Sequence, residues 1–167
     1  MAYLDRDYGT TVWNGDKVRV VESVRVDSDG IEGKPFYMVY TENKAITLKG
    51  FNQKYLYLHN EETGKTVFLH RIIYACCTGL NLGLNGLEVH HIDFDTHNNK
   101  IENLVAMSVA EHRSYHTNMR NAERTGKEEY LDKAEKVLAK AKILKENRIN
   151  KWNKEEEKKL FKELSEM

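Results

Sequence analysis

Residues 88–116 read EVHHIDFDTHNNKIENLVAMSVAEHRSYH and contain five of the seven histidines of the chain. Histidine is a common metal ligand and acid–base residue, so a cluster of this density indicates chemistry rather than packing. Residues 88–92 have the apolar content of a strand, and the Asp and Asn side chains of residues 93–103 can hydrogen-bond to the backbone of a fixed loop. Residues 104–107 are predicted to form a second short strand.

A helix is predicted to begin at Val109. Ser108 and Glu111 have the spacing of a capping box, in which each side chain accepts a hydrogen bond from the backbone amide of the other residue. The helix carries His112 and His116, and residues four apart on a helix have Cβ atoms roughly 6 Å apart. Both imidazoles can therefore bind one cation at about 2.0 to 2.1 Å. The two strands, the loop and the helix are predicted to meet at one metal ion.

This segment resembles the HNH nuclease motif, a ββα-metal finger. In that family a pair of residues on the first strand, His-His or Asp-His, is followed by an Asn near the second strand and by a His or Asn on the helix. The corresponding residues here, with those of the loop signature, are His90, His91, Asp93, Asn98, Asn99, Asn103 and His112.

The resemblance extends upstream of the finger. Residues 69–75 read LHRIIYA and resemble the entry helix of the phage and group I intron homing branch. The resemblance is strong over residues 69–116 and looser over residues 44–68. It implies a metal-dependent DNA endonuclease that hydrolyses phosphodiester bonds, by nicking or by double-strand cleavage. Double-stranded DNA is then the implied partner, and the chain is expected to be a monomer or a homodimer.

The resemblance also implies a role for each residue of the motif. His90 and His112 are metal ligands, and His116 is a third ligand that many homing members lack. His91 is the general base that accepts a proton from the attacking water, which suits an imidazole with a reference pKa near 6.5. Asn103 bonds across the loop and holds the His91 backbone. The cofactor is one divalent metal ion, namely Mg²⁺, Mn²⁺ or Zn²⁺.

The adjacent histidines pose one geometrical difficulty. Successive residues of a regular strand point to opposite faces, so His90 and His91 should not both face one site. The resemblance implies that the strand twists or ends at this point, so that the metal and the water are approached from different sides.

Two other functions use a similar motif. A non-catalytic DNA-binding module would keep the finger as a structural zinc site, but such a site has no need of His91. A ribonuclease or general defence nuclease would keep the chemistry and change the substrate. The sequence offers no aromatic stacking platform clear enough to support RNA binding.

Three further residues lie in or near the motif, and two of them have alternative interpretations. His70 is a core histidine at a helix start or a residue that buttresses the metal site, and the first alternative is favoured. Arg71 contacts a phosphate or pairs with a nearby carboxylate. His97 lies at the tip of the predicted loop and is expected to be exposed to solvent.

Composition is compatible with a nuclease without deciding the function. The 167 residues carry no net charge, which is unusual for a DNA-binding protein, and 40% of them are hydrophobic. There is neither an apolar run that could cross a bilayer nor a signal-peptide pattern, so a soluble protein of the cytoplasm is expected, including that of a phage-infected host. The adjacent residues Cys76 and Cys77 are expected to be buried thiols.

The carboxy-terminal region is predicted to be helical and locally basic. Residues 133–151 contain seven basic residues and two acidic ones. This surface is a solvated helix face, or it follows a DNA backbone through Lys136, Lys140 and Lys145. A second helix start is predicted at Asn153.

These elements define an α+β fold with three parts. Residues 1–68 form a β-rich region with strands at 18–26, 36–40, 45–48, 54–59 and 66–69 and a hairpin turn at 61–64. These strands contact DNA or serve only as a scaffold. Residues 69–125 form the ββα-metal nuclease domain, and residues 126–167 form a helical arm.

Overall fold

The computed structural model describes residues 2–167 and has the α+β fold that the sequence predicts. The order of elements is β1 (Ala2–Trp13), β2 (Asp16–Val26), β3 (Phe36–Thr41), β4 (Ile46–Lys49), β5 (Tyr57–Asn60), β6 (Thr66–Phe68), α1 (Leu69–Thr78), β7 (Leu87–His91), β8 (Leu104–Ser108), α2 (Val109–Thr125) and α3 (Glu128–Ser165). Single 3₁₀ turns precede β7 and β8, at Leu84–Gly86 and Ile101–Asn103.

The chain forms two compact units that interleave in sequence. The first unit runs up to Leu82 and also contains His91–Leu104. The second unit contains Gly83–His90 and Val105–Met167. The loop of the histidine-rich segment therefore belongs to the first unit, whereas α2 belongs to the second.

The first unit contains two antiparallel three-stranded sheets, ordered β1-β2-β3 and β4-β5-β6. The sequence did not predict β1. Its first six residues are exposed, and its register against β2 shifts between Asp7 and Gly9, so hydrophobic alternation along the strand is weak. The hairpin turn predicted at residues 61–64 is confirmed, because Asn60 Oδ1 accepts hydrogen bonds from the amides of Glu62 and Thr63.

Helix α1 is the centre of the core of the first unit. Leu69, Ile72, Ile73 and Tyr74 are fully buried, so apolar residues cover most of its circumference. A helix of this kind needs packing partners on several sides, and α1 contacts both β1 and β6. It ends at Gly79, whose φ of 71° is the left-handed conformation typical of a helix C-cap.

The second unit contains most of the two-stranded β7-β8 sheet and helices α2 and α3. The predicted start of α2 at Val109 is confirmed, and both bonds of the capping box are present. Ser108 Oγ accepts from the Glu111 amide at 3.1 Å, and Glu111 Oε1 accepts from the Ser108 amide at 3.1 Å. Helices α2 and α3 pack against each other, with the small residues Ala134 and Ala141 buried on α3.

Helix α3 is continuous over 38 residues, so the predicted second start at Asn153 is wrong. Residues 127–167 contain neither Pro nor Gly, and the Lys and Glu residues around Asn153 favour helix. One weak helix former does not end a helix in that setting. In the described part of the chain, no helix has both the length and the apolar character needed to cross a membrane.

Candidate active site

Three histidines of the second unit bring their ring nitrogens together. The ligand atoms of His90, His112 and His116 all lie within 4.8 Å of one another. His112 Nε2 is 3.2 Å from His90 Nδ1 and 2.9 Å from His116 Nε2. Nitrogens bound to one tetrahedral ion at about 2.0 to 2.1 Å are roughly 3.3 Å apart, so this donor set fits a single metal ion.

The positions of these histidines follow from local structure. His90 lies on β7, is 4% exposed and packs edge-on against the ring of Tyr115 at 4.8 Å. His112 and His116 are four residues apart on α2, so their rings project from the same face, 4.6 Å apart. The structure thus brings together all three residues that the sequence assigned to a metal.

Glu88 is a member of this cluster that the sequence analysis missed. Its Oε2 accepts a hydrogen bond from Nδ1 of His112 at 2.6 Å. A carboxylate in this position fixes the imidazole tautomer and leaves Nε2 free to bind a metal. A signal was present, because Glu88 lies two residues before His90 on a strand and so projects from the same face.

The ring of His116 is suited to remain neutral. Partial burial is the main cause that lowers the pKa of His116, and the neighbouring His112 lowers it further. A neutral imidazole offers a lone pair to a cation, whereas a protonated one repels it. The environment of His116 therefore favours the ligand form near neutral pH.

His91, in the first unit, has a different set of neighbours. It is 5% exposed, and its Nε2 lies 2.7 Å from Oδ1 of Asn99. An amide oxygen only accepts, so Nε2 carries the proton and Nδ1 keeps the lone pair of the neutral ring. Burial lowers the pKa of His91, and the bond to Asn99 offsets part of that effect.

The contacts of His90 and His91 agree with the alternation expected along a strand. His90 contacts the rings of Tyr115, His112 and His116, whereas His91 contacts Asn99 in the finger loop. Each ring therefore serves a separate set of partners.

Asn99 belongs to the loop signature, but its contact with His91 was not predicted from the sequence. Its side chain is fully buried, and its backbone amide donates to the hydroxyl of Tyr37 at 2.9 Å. Tyr37 is itself 5% exposed and comes from β3. Two adjacent asparagines were visible in the loop, but no sequence pattern indicates which of them points inward.

Asn103 fixes the loop that follows His91. Its Oδ1 accepts from the amide of Asp93 at 3.0 Å, and its Nδ2 donates to Asp93 Oδ1 and to the carbonyl of Asn98, both at 2.8 Å. Its own carbonyl accepts from the amide of Ile92 at 2.8 Å. These bonds hold the backbone at the two residues after His91 and span the loop.

His70 is a core histidine at the start of α1, and it packs against His91. It is 6% exposed, and the two ring centroids are 4.6 Å apart in an edge-on arrangement. Burial lowers the pKa of His70 to about 3, and the neighbouring His91 adds to the effect. His70 is therefore neutral near pH 7 and places no positive charge beside His91.

His97 and Arg71 contact backbone carbonyls. His97 is half-buried, and its Nε2 lies 2.6 Å from the carbonyl of Gln53, so the expectation of an exposed loop tip is wrong. Arg71 donates from Nη2 to the carbonyl of Leu82 at 3.1 Å. This bond ties α1 to the glycine-rich connector that precedes β7.

The three lysines assigned to DNA do not share one side of α3. Lys136 is exposed, and Lys140 is exposed with its Nζ 3.1 Å from Glu111 Oε2. Lys145 is half-buried and follows the buried Ala141 by four residues, so it lies on the packed side of the helix.

Comparison with known families adds a finding to this geometry. Residues 67–114 match the model of the HNH endonuclease family. The match begins in β6, ends within α2 and contains His90, His91, Asn103 and His112. It supports the HNH family for this segment and indicates nuclease activity. Neither a curated protein nor a solved structure matches the chain significantly.

Proposed function

We propose that this protein is a metal-dependent endonuclease that hydrolyses phosphodiester bonds of double-stranded DNA. The observation that carries the proposal is the convergence of three imidazoles within 4.8 Å, in elements that the HNH match largely covers. A buried histidine with one free ring nitrogen, His91, follows the ligand His90 directly in sequence. The proposal includes a role like that of phage and intron homing enzymes.

His91 is the proposed general base. Its Nδ1 accepts the proton of the attacking water while its Nε2–H remains bonded to Asn99. Because burial lowers the pKa of His91, the ring is unprotonated and ready to accept a proton at neutral pH. Asn103 acts by holding the loop and is a positioning residue in this proposal.

The proposed ligands of the divalent ion are His90, His112 and His116, with Glu88 orienting His112. When bound, the ion supplies Lewis-acid stabilisation of the charge that develops on the phosphate and the departing 3′ oxygen. Imidazole nitrogens suit Zn²⁺ better than Mg²⁺, so among Mg²⁺, Mn²⁺ and Zn²⁺ the donor set favours Zn²⁺. A monomer with one finger has one active centre, and nicking is the expected cleavage mode.

Incubation with supercoiled plasmid tests this function. The protein is expected to convert the plasmid to nicked circles when Zn²⁺, Mn²⁺ or Mg²⁺ is supplied in separate reactions. A chelator should stop the reaction, and excess metal should restore it. Undiminished cleavage in chelator would refute metal dependence, and a failure to cut with all three ions would refute the function.

The two alternatives give different results in the same experiment. A DNA-binding module with a structural zinc site would retain the plasmid on a gel without cutting it. A ribonuclease would cut a structured RNA and leave the plasmid intact. His91 favours the nuclease over the module, because a structural zinc site has no need of a general base.

We also propose that Lys136 and Lys140, which are exposed on α3, contact the DNA backbone. Changing Lys136 to Gln should weaken binding about equally on any sequence and reduce the slope of log K against log salt by roughly 0.9. Lys140 must leave Glu111 to reach a phosphate, so its effect should be smaller. The half-buried Lys145 is the matched control, and Lys145→Gln should have the smallest effect of the three.

Binding isotherms at several salt concentrations measure these slopes. Sequence preference should survive in each variant, because phosphate contacts position a protein without reading bases. An unchanged slope in a double variant of Lys136 and Lys140 would make this surface a solvated helix face. DNA recognition would then be assigned to the amino-terminal strands.

A further inference from the structure

An exposed aromatic surface adjoins His91 in the first unit, and Lys54, Tyr55 and Phe68 form it. Phe68 is 43% exposed, although the next two residues, Leu69 and His70 at the start of α1, are buried. Its ring stacks on His70 at 5.4 Å with an interplanar angle of 14°, and it lies 4.9 Å from the ring of Tyr55. Tyr55 is 6.3 Å from His91. Ring contacts therefore lead from the proposed base through His70 to the exposed Phe68.

The segment that carries Lys54 and Tyr55 is fixed to the finger loop. The carbonyl of Gln53 lies 2.6 Å from His97 Nε2, and the carbonyl of Lys54 accepts a hydrogen bond from Thr96 Oγ1. These bonds join residues more than forty positions apart in sequence. The surface is thus held in place by contacts that a disordered loop would lack.

A close backbone approach also fixes Tyr55. Gly50 has a φ of 97°, and a Cβ at this position would lie 2.2 Å from the carbonyl oxygen of Tyr55. Only glycine fits there, because the contact is with backbone that cannot turn aside. The turn before Tyr55 is therefore built around a residue without a side chain.

The surface carries a positive charge beside its rings. The ammonium of the exposed Lys54 lies 5.3 Å from the centroid of Tyr55. Sites for unpaired nucleic acid combine aromatic rings, on which bases stack, with cations that contact the backbone. The residues needed for both contacts are present within a few ångströms of each other.

We propose that Lys54, Tyr55 and Phe68 bind an unpaired nucleotide of the strand that is cut. The base stacks on the exposed side of Phe68 and extends the stack begun by His70, while Lys54 contacts a phosphate. A base inside a duplex is already stacked on its neighbours, so the nucleotide must be unpaired or turned out of the helix. This inference rests on the proposed nuclease function, and it adds a preference for single-stranded or locally opened substrate.

Binding of a fluorescent oligonucleotide tests the subsite. The protein is the full chain with the His91→Ala substitution, which slows cleavage during the measurement. The probe is a short DNA strand that contains 2-aminopurine, used either single-stranded or in a duplex. Stacking on Phe68 should quench the fluorescence of the free strand more than that of the duplex. Phe68→Leu should weaken binding by about 5- to 150-fold and abolish the additional quenching, since stacking contributes about 1–3 kcal/mol per base.

Three variants separate stacking from a general loss of structure. Phe68→Tyr keeps a ring and should restore both affinity and quenching. Lys54→Gln should reduce the salt slope for the single strand by about 0.7, as expected for one phosphate contact. Phe36→Leu is the matched control, because Phe36 is 44% exposed and packs edge-on against Tyr3, whereas Phe68 stacks on His70. It should bind as the parent protein does.

The subsite and the nuclease function can fail separately. Normal binding and quenching by Phe68→Leu, or an equal loss in Phe36→Leu, would overturn the subsite and leave plasmid cleavage as evidence for the function. If binding depends on Phe68 but the protein with His91 intact cuts no nucleic acid, the subsite stands and the nuclease function is refuted. An unquenched probe that binds with the same affinity as ordinary DNA would also overturn the proposal.

Discussion

Replacing His91 with alanine is expected to lower the rate of phosphodiester cleavage by about 10²- to 10⁴-fold, the usual effect of removing a general base. His91 has the geometry of a base because Oδ1 of Asn99 accepts a hydrogen bond from Nε2–H, which leaves Nδ1 as the free acceptor. Metal affinity should be retained, since the three proposed ligands are His90, His112 and His116. DNA affinity should be retained as well.

Single-turnover nicking of plasmid at saturating metal measures the effect. Because His91 is 5% exposed and packs on His70, a second variant, His91→Asn, keeps a polar side chain and controls for destabilisation. Circular dichroism and calorimetric metal titration establish that both variants are folded and bind the ion. Near-normal cleavage by either folded variant would refute the assignment of the base.

Removal of either of two proposed metal ligands, His90 or His112, is expected to abolish metal-dependent cleavage. His112 is the central member of the cluster, because its Nε2 lies within 3.2 Å of nitrogens from both other histidines. His112→Ala and His90→Ala should therefore eliminate high-affinity binding. His116→Ala should cause a smaller loss, since His90 and His112 would remain as ligands.

Two further variants sharpen this test. Glu88→Gln should lower metal affinity by about 10- to 100-fold, because it weakens the bond that orients His112 without removing a ligand. His97→Ala is the control, because His97 bonds to Gln53 and lies outside the cluster. Calorimetric titration with Zn²⁺ and Mn²⁺ measures each affinity. Unchanged affinity in His112→Ala would exclude this site.

The amino-acid sequence by itself determined the features that depend on short-range interactions. The start of α2 at Val109 follows from Ser108 and Glu111, which bond to each other across three residues. The common face of His112 and His116 follows from the helical repeat. The hairpin turn after Asn60 was likewise visible in local patterns, as was the resemblance to the HNH motif, which the family match at residues 67–114 supports. The proposed division at residues 68 and 125 rests on such patterns and stays a prediction.

Only the tertiary structure decided which side chains support these residues. Glu88 and His112 are 24 positions apart, and Tyr37 and Asn99 are 62 positions apart. His70 lies against His91 although 21 residues separate them in the sequence. Periodicity and capping depend on residues a few positions apart. They therefore carry no information about contacts between residues that are distant in the sequence. The common face of His112 and His116 was therefore predictable from spacing, and the resemblance to the HNH motif pointed to His90. The residues that orient and surround these three histidines were not predictable.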